Sequence, residues 1–131
     1  MFSSEVHHIA IICSNYETSK RFYSEALGFE ISHEVFREER KSWKLDLKIN
    51  PSLQIELFSF PNPPPRVSRP EACGLRHLAF RVTSMEAAIT RLHSFGIKTE
   101  PIRVDEFTGK RFTFFEDPDG LPLEVYEESR I

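Results

Sequence analysis

Four residues of this chain carry side chains that bind divalent metals, and their spacing repeats. His8 and Glu56 lie 48 residues apart, and His77 and Glu124 lie 47 residues apart. Two neutral imidazoles with two carboxylates suit a borderline or hard divalent ion and leave coordination positions for water or substrate oxygens. The set contains no thiolate, which argues against structural zinc. It predicts a functional site for one ion of Ni, Zn, Co, Mn or Fe.

The sequence around the two glutamates strengthens this prediction. Glu56 and Glu124 each lie between apolar residues of a strand-like segment, where an unpaired carboxylate is costly and needs a cation or strong hydrogen bonds. A lone strand histidine is more often a hydrogen-bonded core or surface residue than a metal ligand. Four such residues at matching positions of a repeat therefore carry more weight than any one of them.

The elements that must position these residues occur twice in the same order. Each half begins with a strand that carries the histidine, and a helical pattern opens eight residues later, at Tyr16 and at Met85. Gly28 and Gly96 end the helical patterns, and each half closes with the strand that carries the glutamate. The predicted strands cover residues 6–13, 29–36, 43–49, 53–58, 75–82, 97–104, 111–115 and 121–126, and the predicted helices cover residues 16–27, capped by Ser14 or Asn15, and 85–95, capped by Thr83 or Ser84.

This order predicts an α+β fold of two β-α-β-β-β modules in tandem, within a single domain of residues 1–131. Module one spans residues 5–59, a proline-rich linker spans residues 60–73, and module two spans residues 74–127. Strongly twisted sheets can curl. Two such modules side by side are therefore expected to form a cup-shaped mixed sheet with the helices outside, and strand alternation puts the four candidate ligands on its inner face.

The remaining histidines and the two cysteines are not assigned to the site. Alternation puts His7 on the opposite face, and His33 and His93 have no counterpart in the repeat, so all three are interpreted as structural or surface residues. Cys13 and Cys73 are too few for a disulfide scaffold and form no Cys-x-x-Cys pattern. Both are expected to be reduced and buried.

The bulk composition excludes several classes of partner. A net charge of −3 with neutral histidines provides no basic footprint for nucleic acid or for electrostatic attachment to a membrane. The N-terminal segment lacks a basic region, and its apolar run is too short for a signal peptide or a membrane span. We therefore expect a cytoplasmic protein that acts on a small-molecule substrate.

From residue 6 to residue 127 the sequence resembles the vicinal oxygen chelate superfamily, which includes glyoxalase I, dioxygenases and bleomycin-resistance proteins. The resemblance rests on residues 6–10 (VHHIA), 55–57 (IEL), 76–80 (RHLAF) and 111–120 (RFTFFEDPDG) leading to Glu124. It implies that the four ligands fall on His8, Glu56, His77 and Glu124, the set that the repeat had singled out. It also implies a homodimer, because modules in this family pair within or across chains.

The resemblance favours the glyoxalase I and isomerase branch, a lactoylglutathione lyase-like activity that stabilises an enediolate of a small oxygenated substrate. A divalent ion neutralises the enediolate oxygens, and a nearby carboxylate shuttles the proton between adjacent carbons. Glu56 and Glu124 are the candidates, and the resemblance favours Glu124. In glyoxalase I an arginine and an asparagine that contact the substrate lie at the positions of Ile12 and Phe60, and these departures count against glutathione.

Other residues are candidate substrate contacts. Arg81 shares the inner face with His77, where a guanidinium can clamp a carboxylate or phosphate or else reach solvent at the rim. Further candidates are Arg37, Trp43, Phe58, Lys110 and Arg111, and Arg66 and Arg69 of the linker could overhang the cup.

Two other functions remain open from the sequence. One is a metal-dependent dioxygenase or thiol transferase of the same superfamily, members of which typically use two histidines and one glutamate, so that Glu56 would be an extra ligand. The other is a non-catalytic protein that sequesters small molecules, as bleomycin-resistance proteins do, without metal.

Overall fold

The computed structural model describes residues 1–128 and divides the chain into two units, Met1–Pro65 and Arg66–Ile131. The boundary falls inside the predicted linker. Each unit contains one helix and one four-stranded mixed sheet. The predicted α+β class and the repeated β-α-β-β-β order are confirmed.

Unit one has its strands in the order β1-β4-β3-β2. Its elements are β1 (His8–Cys13), α1 (Tyr16–Arg21) with a π-helical continuation (Phe22–Ala26), β2 (Glu30–Arg37), a short 3-10 turn (Glu38–Arg40), β3 (Ser42–Asn50) and β4 (Leu53–Ser59). Strand β1 runs parallel to β4, whereas the β3–β4 and β2–β3 pairs are antiparallel. The candidate ligand strands β1 and β4 are therefore direct neighbours.

Unit two repeats this topology in the order β5-β8-β7-β6. Its elements are β5 (Leu78–Val82), α2 (Met85–Ser94), β6 (Arg103–Val104), β7 (Arg111–Glu116) and β8 (Pro122–Glu127). Strand β5 is parallel to β8, and β7 is antiparallel to both β8 and β6. The second pair of ligand strands is thus also adjacent.

The two helices begin at side-chain caps. Asn15 accepts a hydrogen bond from the backbone N–H of Thr18, and Ser84 accepts one from the N–H of Ala87, each at 3.1 Å. Such caps satisfy N–H groups that have no partner within the helix. Gly28 follows the first helical segment with a φ of 78°, a left-handed conformation that glycine adopts without steric cost.

The core of each unit lies between its helix and one face of its sheet. In unit one the buried apolar residues are Ile11, Cys13, Tyr16, Phe22, Tyr23, Ala26, Leu45, Leu47, Ile55 and Leu57, and in unit two they are Met85, Leu92, Phe115, Leu121, Leu123 and Val125. Strand residues between these core positions point to the other face, because side chains alternate along a strand. We call that second face the open face of each unit; it carries Glu56 in unit one and Glu124 in unit two.

Three predictions about local structure were wrong. The strand predicted at residues 97–104 is reduced to Arg103–Val104, and Pro101, which has no N–H to donate to a ladder, interrupts the segment. Cys73 is exposed rather than buried. The polar residues 127–131 are expected from the sequence to form a tail that frays, but Glu127 is the last residue of β8 and only 3 % exposed; residues 129–131 of that segment lie outside the described residues.

None of the helices within residues 1–128 is both long enough and apolar enough to cross a membrane.

Candidate metal centre

In unit one, β1 and β4 bring His8 and Glu56 together. The parallel register pairs Ala10 with Glu56, so His8 lies two residues before the partner of the glutamate and on the same face of the sheet. The His8 Nδ1 and Glu56 Oε2 atoms are 3.5 Å apart. Glu56 is only 8 % exposed, whereas His8 is exposed at the surface. The pair therefore joins a buried carboxylate to an accessible imidazole.

Unit two repeats this arrangement with the same register. Ala79 pairs with Glu124 across β5 and β8, and His77 again lies two residues before the partner of the glutamate. The His77 Nε2 and Glu124 Oε1 atoms are 3.0 Å apart, and Glu124 is 9 % exposed. The ring of His77 also packs edge-on against Phe114 at 5.1 Å, which fixes its orientation.

His7 also lies at the unit-one pair, contrary to its predicted position on the other face. Its Nδ1 atom is 2.9 Å from Nδ1 of His8, and one donor atom from each of His7, His8 and Glu56 lies within 4.8 Å of the others. Strand alternation does not apply to His7, because β1 begins only at His8. Two adjacent histidines and one carboxylate are thus available in this unit.

The partners of Glu56 were not identified from the sequence. Gln54 Nε2 donates a hydrogen bond of 2.9 Å to Glu56 Oε2, and Lys44 Nζ lies 3.7 Å from the other carboxylate oxygen. Lys44 is itself bound to Asp46 at 2.7 Å. The alternation of β3 puts its charged residues on the open face, so the pattern that predicted β3 already contained this signal.

The partners of Glu124 are fewer than those of Glu56. Among the described residues, the side-chain partner of Glu124 within hydrogen-bonding distance is His77. A buried carboxylate is stable only with a cation or strong hydrogen bonds, and Glu124 has fewer such partners than Glu56. The two halves are therefore equivalent in backbone geometry but not in electrostatics.

Besides the polar partners of Glu56, the open face of unit one carries an aromatic pair. Phe58 and Phe60 stack at 6.2 Å, and the Arg37 guanidinium lies over the Phe58 ring at 4.8 Å. Ile12, which pairs with Phe58, is 55 % exposed. Arg37, a predicted substrate contact, thus lies on the face that carries Glu56.

The open face of unit two carries Arg81 and a second aromatic group. Arg81 pairs with Tyr126 across β5 and β8 and is exposed. Tyr126 stacks on Phe112 at 6.3 Å, and Phe112 packs edge-on against Phe114. The predicted location of Arg81 on the same face as Glu124 agrees with this register.

A loop between β6 and β7 is bound to the same open face. Tyr126 Oη donates a hydrogen bond of 2.8 Å to Asp105 Oδ2, and the hydroxyls of Thr108 and Tyr126 are 2.5 Å apart. The backbone N–H of Phe107, followed by Tyr126, lowers the pKa of Asp105. The loop therefore carries a stable negative charge beside the face that contains Glu124.

Trp43 and Arg111 point away from the open faces. Trp43 stacks on Tyr16 of α1 at 5.1 Å, on the opposite side of β3 from Lys44. Arg111 binds Glu127 at 2.8 Å and Glu86 of α2 at 3.0 Å. These contacts place both residues between helix and sheet, as the apolar alternation of residues 43–49 already favoured for Trp43. Their role as substrate contacts stays a prediction.

The other predicted contacts belong to unit two. Lys110 immediately precedes β7, and its backbone N–H donates to the Thr108 hydroxyl at 3.2 Å. Arg66 and Arg69 line a cleft of about 480 Å³ that also contains His77. The linker arginines thus share this cleft with a candidate ligand.

Comparison with known proteins identifies close relatives over the full length. The chain is 63 % identical over 128 residues to the Uncharacterized protein YwkD of Bacillus subtilis (strain 168), covering 98 % of this chain and 100 % of the relative. It is 62 % identical over 124 residues to the Uncharacterized protein YaeR of Escherichia coli (strain K12), covering 95 % and 96 %. The crystal structure of a glyoxalase family protein from Enterococcus faecalis matches with a TM-score of 0.89 and 55 % identity, covering 97 % and 100 %.

More distant matches include named enzymes. A 2-epi-5-epi-valiolone epimerase of Actinomyces sp is 27 % identical, covering 92 % of this chain and 77 % of the epimerase. The trypanothione-dependent glyoxalase I of Leishmania major is 25 % identical, with a TM-score of 0.73 and coverage of 96 % and 88 %. The model of one family matches residues 5–125, a span that includes all four candidate ligands. This chain belongs to the Glyoxalase/Bleomycin resistance protein/Dioxygenase superfamily.

Proposed function

We propose that this protein is a metal-dependent lyase or isomerase of the glyoxalase type, which moves a proton between neighbouring carbons of a small oxygenated substrate. The observation that carries the proposal is the duplicated pair of an imidazole and a buried glutamate. His8 with Glu56 and His77 with Glu124 have the same strand register and short separations of 3.5 and 3.0 Å. A structural role alone does not require the same two residue types at both places.

The proposed ligands of one divalent ion are His8, Glu56, His77 and Glu124. The donor set fits such an ion because it combines two imidazole nitrogens with two carboxylates, as Ni, Zn, Co, Mn and Fe sites do. The burial of Glu124, with His77 as its side-chain partner, also supports a cation there. When bound, a divalent ion supplies positive charge that stabilises negative charge on substrate oxygens.

The residues of the chain have distinct roles in this proposal. Glu124 is the base that accepts and returns the proton, because among the described residues the partner within hydrogen-bonding distance of its carboxylate is His77. Glu56 is the less suitable base, since Gln54 donates a hydrogen bond to one oxygen and Lys44 lies near the other. His8 and His77 act as neutral ligands, and the packing of His77 on Phe114 holds its ring in place.

The named relatives support proton transfer as the reaction class. One is called an epimerase and another a glyoxalase I, which correspond to the isomerase and lyase alternatives. Glutathione is a poor candidate for the substrate. Ile12 is exposed and apolar on the face that carries Glu56, and Phe60 is stacked on Phe58, so neither supplies the polar contact found at its position in glyoxalase I.

The direct test is metal analysis of the purified chain, coupled to a screen of hemithioacetals and of 2-oxo and 2-hydroxy acids. We expect one divalent ion per site after dialysis. At saturating metal, Glu124→Gln is expected to reduce turnover by about 10²–10⁴-fold, the usual contribution of a positioned acid or base. Glu128→Gln, an exposed neighbour on the same segment, is the matched control and should leave turnover unchanged. Full activity of Glu124→Gln with an unaltered circular dichroism spectrum would rule out the catalytic assignment.

The hydrogen bond from Gln54 to Glu56 favours a second candidate. If Gln54 and Lys44 hold Glu56 as a structural group, the remaining donors are His8, His77 and Glu124, the two-histidine, one-glutamate set of ring-cleaving dioxygenases and fosfomycin-modifying thiol transferases. Oxygen uptake with a catechol or transfer of a thiol to fosfomycin tests this alternative. Metal content that is unchanged in Glu56→Gln would favour it over the four-ligand proposal.

A homodimer and a cytoplasmic location remain part of the proposal. Sedimentation of the purified chain at micromolar concentration tests the first. A ligand-sequestering role without metal is the remaining alternative, and stoichiometric metal that survives dialysis would contradict it.

A further inference from the structure

Residues 66–72 of the predicted linker form one wall of a cleft in unit two. The cleft has a volume of about 480 Å³, and all the residues that line it belong to Arg66–Ile131. Phe112 and Phe114 of β7 contribute an aromatic surface, and His77 lies among them. A cavity of this size accommodates a small organic molecule rather than a water or an ion.

The charge of the cleft is positive. Four arginines and three glutamates line it, which leaves a net charge of +1 with His77 neutral. Arg76 binds Glu71 at 2.5 Å, and Arg103 binds Glu100 at 2.8 Å. The charges within each of these ion pairs cancel. The net positive charge therefore comes from Arg66 and Arg69, which Glu116 only partly offsets.

The two linker arginines differ in what they bind. Arg66 donates hydrogen bonds to the backbone carbonyls of Leu75 and Arg76 at 2.8 and 3.1 Å, so its donors are used to hold the chain. Among the described residues, Arg69 lines the cleft without a hydrogen-bond or ion-pair partner. Five N–H donors in a planar fork are therefore available to an anion.

The backbone that presents Arg69 is held at two points. Arg66 binds the segment that leads directly into His77, and Ser68 Oγ donates a hydrogen bond of 3.3 Å to the carbonyl of Gly120 in the β7–β8 turn. Prolines at 65 and 70 restrict the backbone on both sides. A side chain on a held backbone loses less entropy on binding than one on a free loop.

We propose that this cleft is an anion subsite in which Arg69 binds a carboxylate or phosphate group of the substrate, with the reacting end of the substrate at His77 and Glu124. The inference rests on the proposed function and deepens it, because it makes the substrate a small acid rather than a neutral carbonyl compound. Phe112 and Phe114 give the same cleft an apolar wall, and charges in a cleft with apolar walls are less screened than charges in bulk water. Arg103 lies over both rings at 5.3 and 5.4 Å and holds them in place.

The test measures binding of malonate and of inorganic phosphate to the metal-free full-length chain, by calorimetry and by amide chemical shifts in NMR spectra. Malonamide serves as the neutral counterpart. We expect malonate or phosphate to shift amides of residues 66–77 and malonamide to leave them unchanged. The two anions separate the alternatives, since a carboxylate subsite prefers malonate and a phosphate subsite prefers phosphate.

Three variants locate the binding group. Arg69→Met is expected to weaken anion binding about tenfold, the loss of one charge-assisted pair in a solvent-accessible cleft, and Arg69→Lys is expected to recover part of it. Arg91 is exposed on α2 and lies over the Phe95 ring, outside the cleft. Arg91→Met removes the same charge and should have no effect on anion binding. Equal anion affinity in Arg69→Met and the unaltered chain would overturn the inference, as would loss of binding in Arg81→Met alone.

The outcome is separable from that of the proposed function. Glu124→Gln is expected to lose turnover and to retain malonate or phosphate binding. If the anions bind through Arg69 but none of the screened substrates turns over, the subsite stands and the lyase or isomerase proposal fails. If turnover is found on neutral substrates and neither anion binds, the function stands and the anion subsite fails.

Discussion

Metal binding should protect the native chain against heating, and Glu124→Gln should remove most of that protection. The reason is that each histidine–glutamate pair of the proposed ligands is brought together only in the folded chain, so the ion binds the native state and not the unfolded state. Glu124 contributes a buried carboxylate 3.0 Å from His77, and glutamine keeps its size while it removes the charge. The perturbation therefore tests ligation with little change in packing.

The magnitude follows from the size of the chain. Free metal at 100 times its Kd stabilises the native state by about 2.7 kcal/mol. For 131 residues, an unfolding entropy of about 2.1 cal/mol/K per residue gives about 0.28 kcal/mol/K, so the midpoint rises by about 10 °C. Loss of one ligand should weaken metal binding by about 100-fold, which is at or above the usual effect of a change in the outer coordination shell. At the same metal concentration the ion then stabilises the native state by about 0.4 kcal/mol, and the unfolding midpoint rises by about 1.5 °C.

The assay is thermal unfolding of EDTA-dialysed protein, with and without the ion identified by metal analysis, followed by circular dichroism or calorimetry. Glu128→Gln controls for the loss of one negative charge and should keep the full shift. An equal metal-dependent rise in midpoint for Glu124→Gln and the unaltered chain would show that this carboxylate is not a ligand. A rise that is absent from both would refute the metal site itself.

Three further outcomes follow from the contacts. Gln54→Leu should weaken metal affinity about 10-fold, measured by competition with a chelator, because it removes the hydrogen bond that orients Glu56; unchanged affinity would contradict that role. Burial, followed by the hydrogen bond to Glu34, raises the pKa of Tyr16. The stabilisation by the protonated Tyr16 hydroxyl is therefore complete below pH 10 and is progressively lost above it. Between about pH 10 and 12, the free energy of unfolding, measured in urea, should therefore fall less for Tyr16→Phe than for the unaltered chain. An equal fall with pH for both proteins would contradict this prediction. Trp43→Ala should lower the free energy of unfolding by about 3 kcal/mol and leave metal affinity unchanged. A loss of substrate binding without a loss of stability would instead support Trp43 as a substrate contact.

The repeat in the sequence was sufficient to predict the fold class and to pair the candidate ligands. Strand and helix periodicities are local properties of the chain. Because the same β-α-β-β-β order occurs in both halves, the assignment of each element in one half supports the assignment of its counterpart in the other. The pairing of His8 with Glu56 and of His77 with Glu124 within single units agrees with the structure. The predictions of local structure that failed were at residues 97–104, where Pro101 shortens the strand, at Cys73, which is exposed, and at Glu127, which ends β8 and is buried.

The partners of long polar side chains were not predictable in the same way. Trp43 and Arg111 are predicted substrate contacts, and the sequence did not show that Tyr16 and Glu86 of the helices contact them on the other face of each sheet. His7 was expected to point away, but it lies outside the regular strand and reaches the His8 side chain. Each of these outcomes depends on a residue from another element, or on where a strand begins.

By itself the sequence determined the secondary-structure order, the faces of the regular strands and the two histidine–glutamate pairs, because these follow from local periodicity and from duplication. Only the tertiary structure decided that Glu56 is held by Gln54 and Lys44 while Glu124 is left with His77. It also decided that Arg66 is used to hold the linker while Arg69 remains available in the cleft. Hydrogen bonds and ion pairs between distant residues depend on strand register and on separations of a few ångströms, and neither is encoded in the pattern of any single segment.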